Sequence, residues 1–72
     1  MNLATLKQNR GAIVVAIGED RHLSQLQSSG IQPGANIELV GRTSSHGLLV
    51  KVDDTRLVLS RDLAEEIICS YI

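Results

Sequence analysis

The sequence predicts a mainly β protein: a small, partly closed five-stranded barrel with one short helix between its first and second strands. Three observations carry this expectation. The hydrophobic fraction of 43% comes almost entirely from Ile, Leu, Val and Ala, and branched aliphatics suit strands. Short polar turns separate the apolar segments in the order strand, turn, strand, which is the pattern of a meander. The chain has only 72 residues, and five strands in so little sequence must curl to bury an aliphatic face.

The first strand is expected at Ala12-Ile13-Val14-Val15-Ala16-Ile17. This run is apolar at every position, so its length and β-branched content predict a strand buried on both faces. Ahead of it, Leu3 and Leu6 lie three apart, enough for one helical or 3₁₀ turn at the edge of a core. The short helix follows in "RHLSQLQSSG". Asp20 can cap it from just before Arg21, because a carboxylate accepts a free first-turn amide. Leu23 and Leu26 supply the apolar face. Gly30 sits where a helix closes in the left-handed conformation, which glycine adopts without steric cost.

In "IQPGAN", Pro33 presets φ at the second position of a tight turn, and Gly34 permits positive φ at the third, as a type II turn requires. The chain then enters a strand, "NIELVGR". Strict alternation puts Ile37 and Leu39 on one face, and Glu38, Val40 and Arg42 on the other. The polar connection Thr43-Ser44-Ser45-His46-Gly47 leads to "LLVKVD", with Leu48, Val50 and Val52 facing one way and Leu49, Lys51 and Asp53 the other. Asp53-Asp54 makes a turn, since Asp bonds its own following backbone. "RLVLS" is the fourth strand, and "RDLAEE" one helical turn capped by Ser60. "IICSYI" is the fifth strand, with Ile67, Cys69 and Tyr71 on one face and the Tyr71 ring filling the barrel end. The whole of 1–72 forms one domain, of the SH3-like type.

Composition also narrows function. Seven basic and eight acidic residues give a formal net charge of -1, so no long-range field gathers nucleic acid or anionic lipid. Tyr71 is the only aromatic residue, which removes any platform for stacking bases. The longest apolar run has six residues where a membrane span needs about 20, and the start of the chain lacks signal-peptide character. A lone cysteine suits a reducing compartment. The expected location is therefore the cytoplasm.

No catalytic residues are expected. There is no phosphate-cradling glycine loop with a lysine. Ser44 and Ser45 adjoin His46, but no third group orients the histidine. Metal ligands are equally sparse. His22 and His46 are the weak candidates, the first on a solvated helix face and the second at a hairpin tip, and no pair has a recognised ligand spacing. Cys69 reads as a small core hydrophobe. No cofactor is implied. Partner binding remains, through exposed loops and a sheet edge. The candidate surface is Arg42, Thr43, Ser44, Ser45, His46, Gly47 and Lys51, with Arg42, His46 and Lys51 forming a mixed polar patch along the second and third strands. The open edge also leaves room for weak self-association.

These elements, in this order, resemble the FeoA family. The likeness covers nearly the whole chain: Leu3-Ala4-Thr5-Leu6-Lys7 and Gly11, then Leu26-x-x-x-Gly30-Ile31-x-Pro33-Gly34 and Ile37-x-Leu39, then Leu57-Val58-Leu59-Ser60-Arg61-x-x-Ala64-x-x-Ile67. The Gly30-Ile31-x-Pro33-Gly34 step between helix and second strand is its most specific piece. The resemblance implies an SH3-like barrel that acts without catalysis, alongside the cytoplasmic GTPase region of a FeoB-type membrane transporter of ferrous iron. Similar domains close iron-dependent repressors, which implies a metal-linked interaction domain as the alternative. Two segments depart from the family habit. The helix carries Arg21 at its start and no further base, and the loop at 43–47 replaces a Pro-Leu-Gly-Gly-Pro-like sequence. Both departures shift partner preference if contacts run through them.

Overall fold

The computed structural model describes residues 1–18 and 23–72. The expected cap at Asp20, with Arg21 and His22, lies outside the described residues. A 3₁₀ turn, Leu3–Thr5, precedes β1 (Gly11–Ile17), α1 (Leu23–Ser28), β2 (Asn36–Arg42), β3 (Gly47–Val52), β4 (Thr55–Ser60), α2 (Arg61–Glu65) and β5 (Ile67–Tyr71). The strands form one antiparallel sheet in the order β4-β3-β2-β1-β5. The second helix, α2, follows β4 directly and delivers the chain to β5, beside β1. Ser60 Oγ accepts the Leu63 amide at 3.2 Å and starts this helix, as a serine N-cap does.

The interior is aliphatic. Leu3, Leu26, Ile31, Ile37, Leu39 and Ile67 are its largest fully buried side chains. Alternation on β3 is clean, with Leu48, Val50 and Val52 buried. On β1 the expectation of two buried faces fails. Ala12 and Val14 are buried, but Val15 is 53% exposed and Ala16 is exposed as well. A small barrel has one interior and no second layer, so the outer face of β1 meets water. Val15 also sits in a bulge, between the pairs Val14–Cys69 and Ala16–Ile68, and a bulge bends the strand around the core.

The junction between α1 and β2 is built by hydrogen bonds. The Gly30 amide donates to the Gln27 carbonyl at 2.9 Å and the Ile31 amide to the Leu26 carbonyl at 2.9 Å, while Gly30 has φ +90°. This is the Schellman closure of a helix, and its two apolar positions, Leu26 and Ile31, are both buried. Four residues on, the Ala35 amide donates to the Gln32 carbonyl at 3.0 Å around Pro33-Gly34, with Gly34 at φ +94°, as the turn expectation requires. The Gly34 amide reaches the Val14 carbonyl at 2.8 Å and the Val14 amide the Ala35 carbonyl at 3.0 Å. The turn is thereby sewn to β1.

Candidate functional site

Thr43 organises the β2–β3 connection. Its amide donates to the Gly47 carbonyl at 2.9 Å, and its hydroxyl accepts the Gly47 amide at 2.9 Å. The His46 amide donates to the Thr43 carbonyl at 3.2 Å. His46 itself takes φ +68°, a left-handed conformation uncommon outside glycine. Gly47 fits because it lacks Cβ: an added methyl would lie 2.8 Å from Thr43 Oγ1 and 2.9 Å from Val58 Cγ1. The tip is therefore fixed, and Ser44, Ser45 and His46 project from it exposed.

Beside the tip lies an open cleft of about 440 Å³, lined chiefly by Ser45, His46, Val58, Ser60, Arg61 and Asp62. Pairing of Gly47 with Ser60 brings the end of β4 under the hairpin. The β4 and α2 residues were not legible as site members, because they join it only through strand register. Arg61 Nε lies 3.7 Å from Glu65 Oε2 on the same helix.

The expected patch of Arg42, His46 and Lys51 does not assemble. Alternation is broken by a bulge: Leu39 pairs with Val50, but Gly41 pairs with Leu49 and Arg42 with Leu48. The extra residue, Val40, turns the end of β2 over, so Arg42 pairs with buried Leu48, although at the strand's end its own side chain stays exposed. Its guanidinium Nη2 donates to the Ala4 carbonyl at 3.3 Å, across the barrel end. Lys51 stays on the outer face, between Glu38 and Arg56. It borders a second, smaller cleft of about 210 Å³ with Asn36, Asp53 and Ile72. Thr43, Ser44, Ser45, His46 and Gly47 stand together, and Arg42 and Lys51 stand apart from them and from each other.

Among the described residues no group of three or more His, Cys, Asp or Glu side chains could hold a metal ion. The cleft offers one imidazole, His46, and one carboxylate, Asp62. His22 lies outside the described residues. Cys69 is buried and free. Burial pushes its thiol up to about 11, with the Met1 ammonium pulling weakly the other way, which suits core packing rather than nucleophilic or ligand chemistry. No helix among the described residues is long and apolar enough to cross a membrane.

A sequence profile of the FeoA domain matches residues 1–71. The chain belongs to the FeoA family. Solved structures agree on the fold. A FeoA protein from Chlorobium tepidum superposes with a TM-score of 0.90 at 22% identity, over all of this chain and 70% of that one. FeoA of Stenotrophomonas maltophilia, solved in complex with zinc and described as a prokaryotic SH3 domain protein, gives 0.85 at 24% identity, over 97% and 89% of the two chains. The repressor ScaR with bound zinc gives 0.88 at 24% identity, with the whole of this chain matching 37% of that one. A search of curated protein sequences finds no match. The chain thus shares its fold with solved FeoA proteins.

Proposed function

We propose that this FeoA-family chain is a non-enzymatic accessory protein of ferrous-iron transport. It binds the cytoplasmic GTPase region of a FeoB-type membrane transporter and biases that region between states. Family membership supports the link to ferrous-iron transport. The observation that carries the binding reading is the fixed β2–β3 tip, which presents Ser44, Ser45 and His46 beside an open cleft. A preorganised loop loses little entropy on docking, so its exposed polar groups convert into affinity efficiently. Arg42 and Lys51 were candidate contacts too. With Arg42 engaged at Ala4, the tip and the cleft carry the contact in this reading. The protein acts in the cytoplasm, without a cofactor.

Titration calorimetry of the full chain against the soluble GTPase region of the transporter tests this. Saturable binding that His46→Asp or Ser45→Trp weakens at least tenfold is the expected result. No binding, together with iron uptake unchanged when the gene is deleted, defeats it.

A second reading rests on the likeness to ScaR, a protein solved with bound zinc. Here the chain is a metal-linked interaction domain related to the C-terminal domain of iron-dependent repressors, with His46 and Asp62 as cleft donors. Elemental analysis of protein purified without an affinity tag separates the two. Stoichiometric metal favours the second reading and its absence the first.

A further inference from the structure

The two edges of the sheet are treated differently. The β5 edge is covered: the Cys69 amide donates to the Met1 carbonyl at 2.6 Å, the Met1 ammonium donates to the Cys69 carbonyl at 3.2 Å, and Asn2 bridges Ile68. The β4 edge is bare. Among the described residues no backbone hydrogen bond reaches Thr55–Leu59 from outside the β3–β4 ladder. Edge strands are normally guarded by a bulge, a proline, an inward charge or a cover, because unpaired amides and carbonyls template another strand. β4 has no bulge, proline, inward charge or cover, and its one edge charge is the outward Arg56. Its register with β3 runs unbroken from Gly47–Ser60 to Val52–Thr55. It contains no proline, and its inward residues are Leu57 and Leu59.

We infer that β4 pairs antiparallel with β4 of a second copy of this chain, on a two-fold axis at Val58. A continuous sheet keeps outward residues opposite outward ones. On β4 these are Arg56, Val58 and Ser60, since Val58 pairs with Leu49 and Arg56 with Lys51 on the outer face. Centring on Val58 uses the whole of 56–60 and aligns Leu49, Val58 and their symmetry mates in one apolar row. Val58 is 59% exposed in the single chain, and pairing covers it.

Charge favours a second copy as the occupant. The same register places each Arg56 opposite the second copy's Ser60. Ser60 lies in the 440 Å³ cleft beside Asp62. Among the described residues Asp62 has no ion-pair partner, while its neighbour Arg61 is engaged by Glu65. The guanidinium of Arg56 therefore enters the second copy's cleft next to a carboxylate and a serine, twice by symmetry. No like charges oppose within the ladder. One end of β4 thus supplies the cation that the cleft at its other end suits, as an isologous interface requires.

Sedimentation equilibrium of the full chain, from low micromolar to about 1 mM, tests the pairing without any transporter, so its outcome is separable from the function proposed above. The wild type should dimerise. Val58→Lys sets two ammonium groups face to face. Arg56→Asp and Asp62→Arg each oppose like charges. Each of the three should raise the dimer dissociation constant about tenfold. The double variant R56D/D62R should recover most of the affinity of the wild type, which a merely misfolded protein would not do. Amide exchange gives a second measure: protection of β4 edge amides should grow with protein concentration. A wild type that stays monomeric up to about 1 mM overturns the inference. So does a dimer indifferent to Val58→Lys, or one that the double swap fails to restore.

Discussion

The Tyr71 hydroxyl accepts the amide of Lys7 at 2.7 Å, tying the last strand to the loop that leads into the first. The same ring carries the Arg10 guanidinium over its face, 4.0 Å from the centroid. Two cationic loop residues are thus organised by the one aromatic ring in the chain. Tyr71→Phe should keep the stacking and lose the hydrogen bond. The amide stays near water, so the cost is about 0.5–1.5 kcal/mol. In a domain of this size that lowers Tm by roughly 4–8 °C per kcal/mol. Tyr71→Ala, which also removes the ring beneath Arg10, should cost more. Thermal melts followed by circular dichroism rank the two, and equal melting of the Tyr71→Phe variant and the wild type would show that the bond contributes nothing.

Cys69 gives a pH dependence with a defined sign. Its thiol is pushed up to about 11 by burial, whereas in the unfolded chain it ionises near 9.0. Between these values the unfolded state sheds the proton and the folded state holds it. Its contribution to stability is therefore complete below about pH 9 and is lost as pH rises toward 11. Urea midpoints should fall across that window more steeply for the wild type than for Cys69→Ala, in which the other alkaline groups titrate unchanged. The buried thiol should also resist alkylation in the native protein and react fully in denaturant. Rapid native labelling would contradict the burial.

The helix-to-strand junction contains two residues at positive φ, and their surroundings differ. Gly34 has nothing within 4 Å of the place a Cβ would take, while at Gly30 the nearest atom is Val52 Cγ1 at 3.7 Å. Neither site is closed by sterics with its neighbours. Alanine at each should therefore cost what the left-handed backbone costs, about 1–2 kcal/mol. Asparagine, which tolerates that region, should cost less at both. Chemical denaturation of the four variants measures this. A loss well beyond that range at Gly34 would mean that its amide bond to Val14 is broken as well.

Much of the fold was legible in the sequence, because its signals are local. Gly30 and Pro33-Gly34 announce their own backbone conformation, Ser60 announces a helix start, and Leu48, Val50 and Val52 announce a buried face. The bulges were not legible. Nothing in "ELVGR" says that Val40 is extra, because a bulge is set by what the partner strand can match. The candidate site suffered for the same reason. Thr43, Ser44, Ser45, His46 and Gly47 adjoin in sequence and stay together. Val58, Ser60 and Asp62 reach the hairpin only because Gly47 pairs with Ser60.

The β2 bulge makes Arg42 and Lys51 unequal, although strict alternation would give them similar solvated roles. Arg42 pairs with buried Leu48 and holds the Ala4 carbonyl at 3.3 Å. Lys51 lies outside, with no ion pair among the described residues. Arg42→Ala should cost about 0.5–1.5 kcal/mol, since it removes the hydrogen bond to the Ala4 carbonyl from an otherwise exposed side chain. Lys51→Ala should stay within about 0.5 kcal/mol of the wild type. Equal effects in urea unfolding would mean that the bond from Arg42 to the Ala4 carbonyl contributes nothing to stability.

Gly47 offers the sharpest structural test of the hairpin. Its backbone needs no positive φ, so alanine brings no conformational penalty. The added methyl would instead lie 2.8 Å from Thr43 Oγ1 and 2.9 Å from Val58 Cγ1. Val58 can turn toward solvent. Thr43 cannot move freely, because its hydroxyl accepts the Gly47 amide and meets Ser45 Oγ at 3.2 Å. Gly47→Ala should therefore destabilise by about 1–3 kcal/mol, the usual cost of overpacking, with amide shifts concentrated at 43–47 and 58–60. Thr43→Ala removes the γ atom altogether, where valine would leave a methyl in its place, and leaves the Gly47 amide without its side-chain acceptor. Combining it with Gly47→Ala should cost less than the sum of the two single changes, because both act through one oxygen. Strict additivity in that cycle would show that the clash lies with Val58 alone.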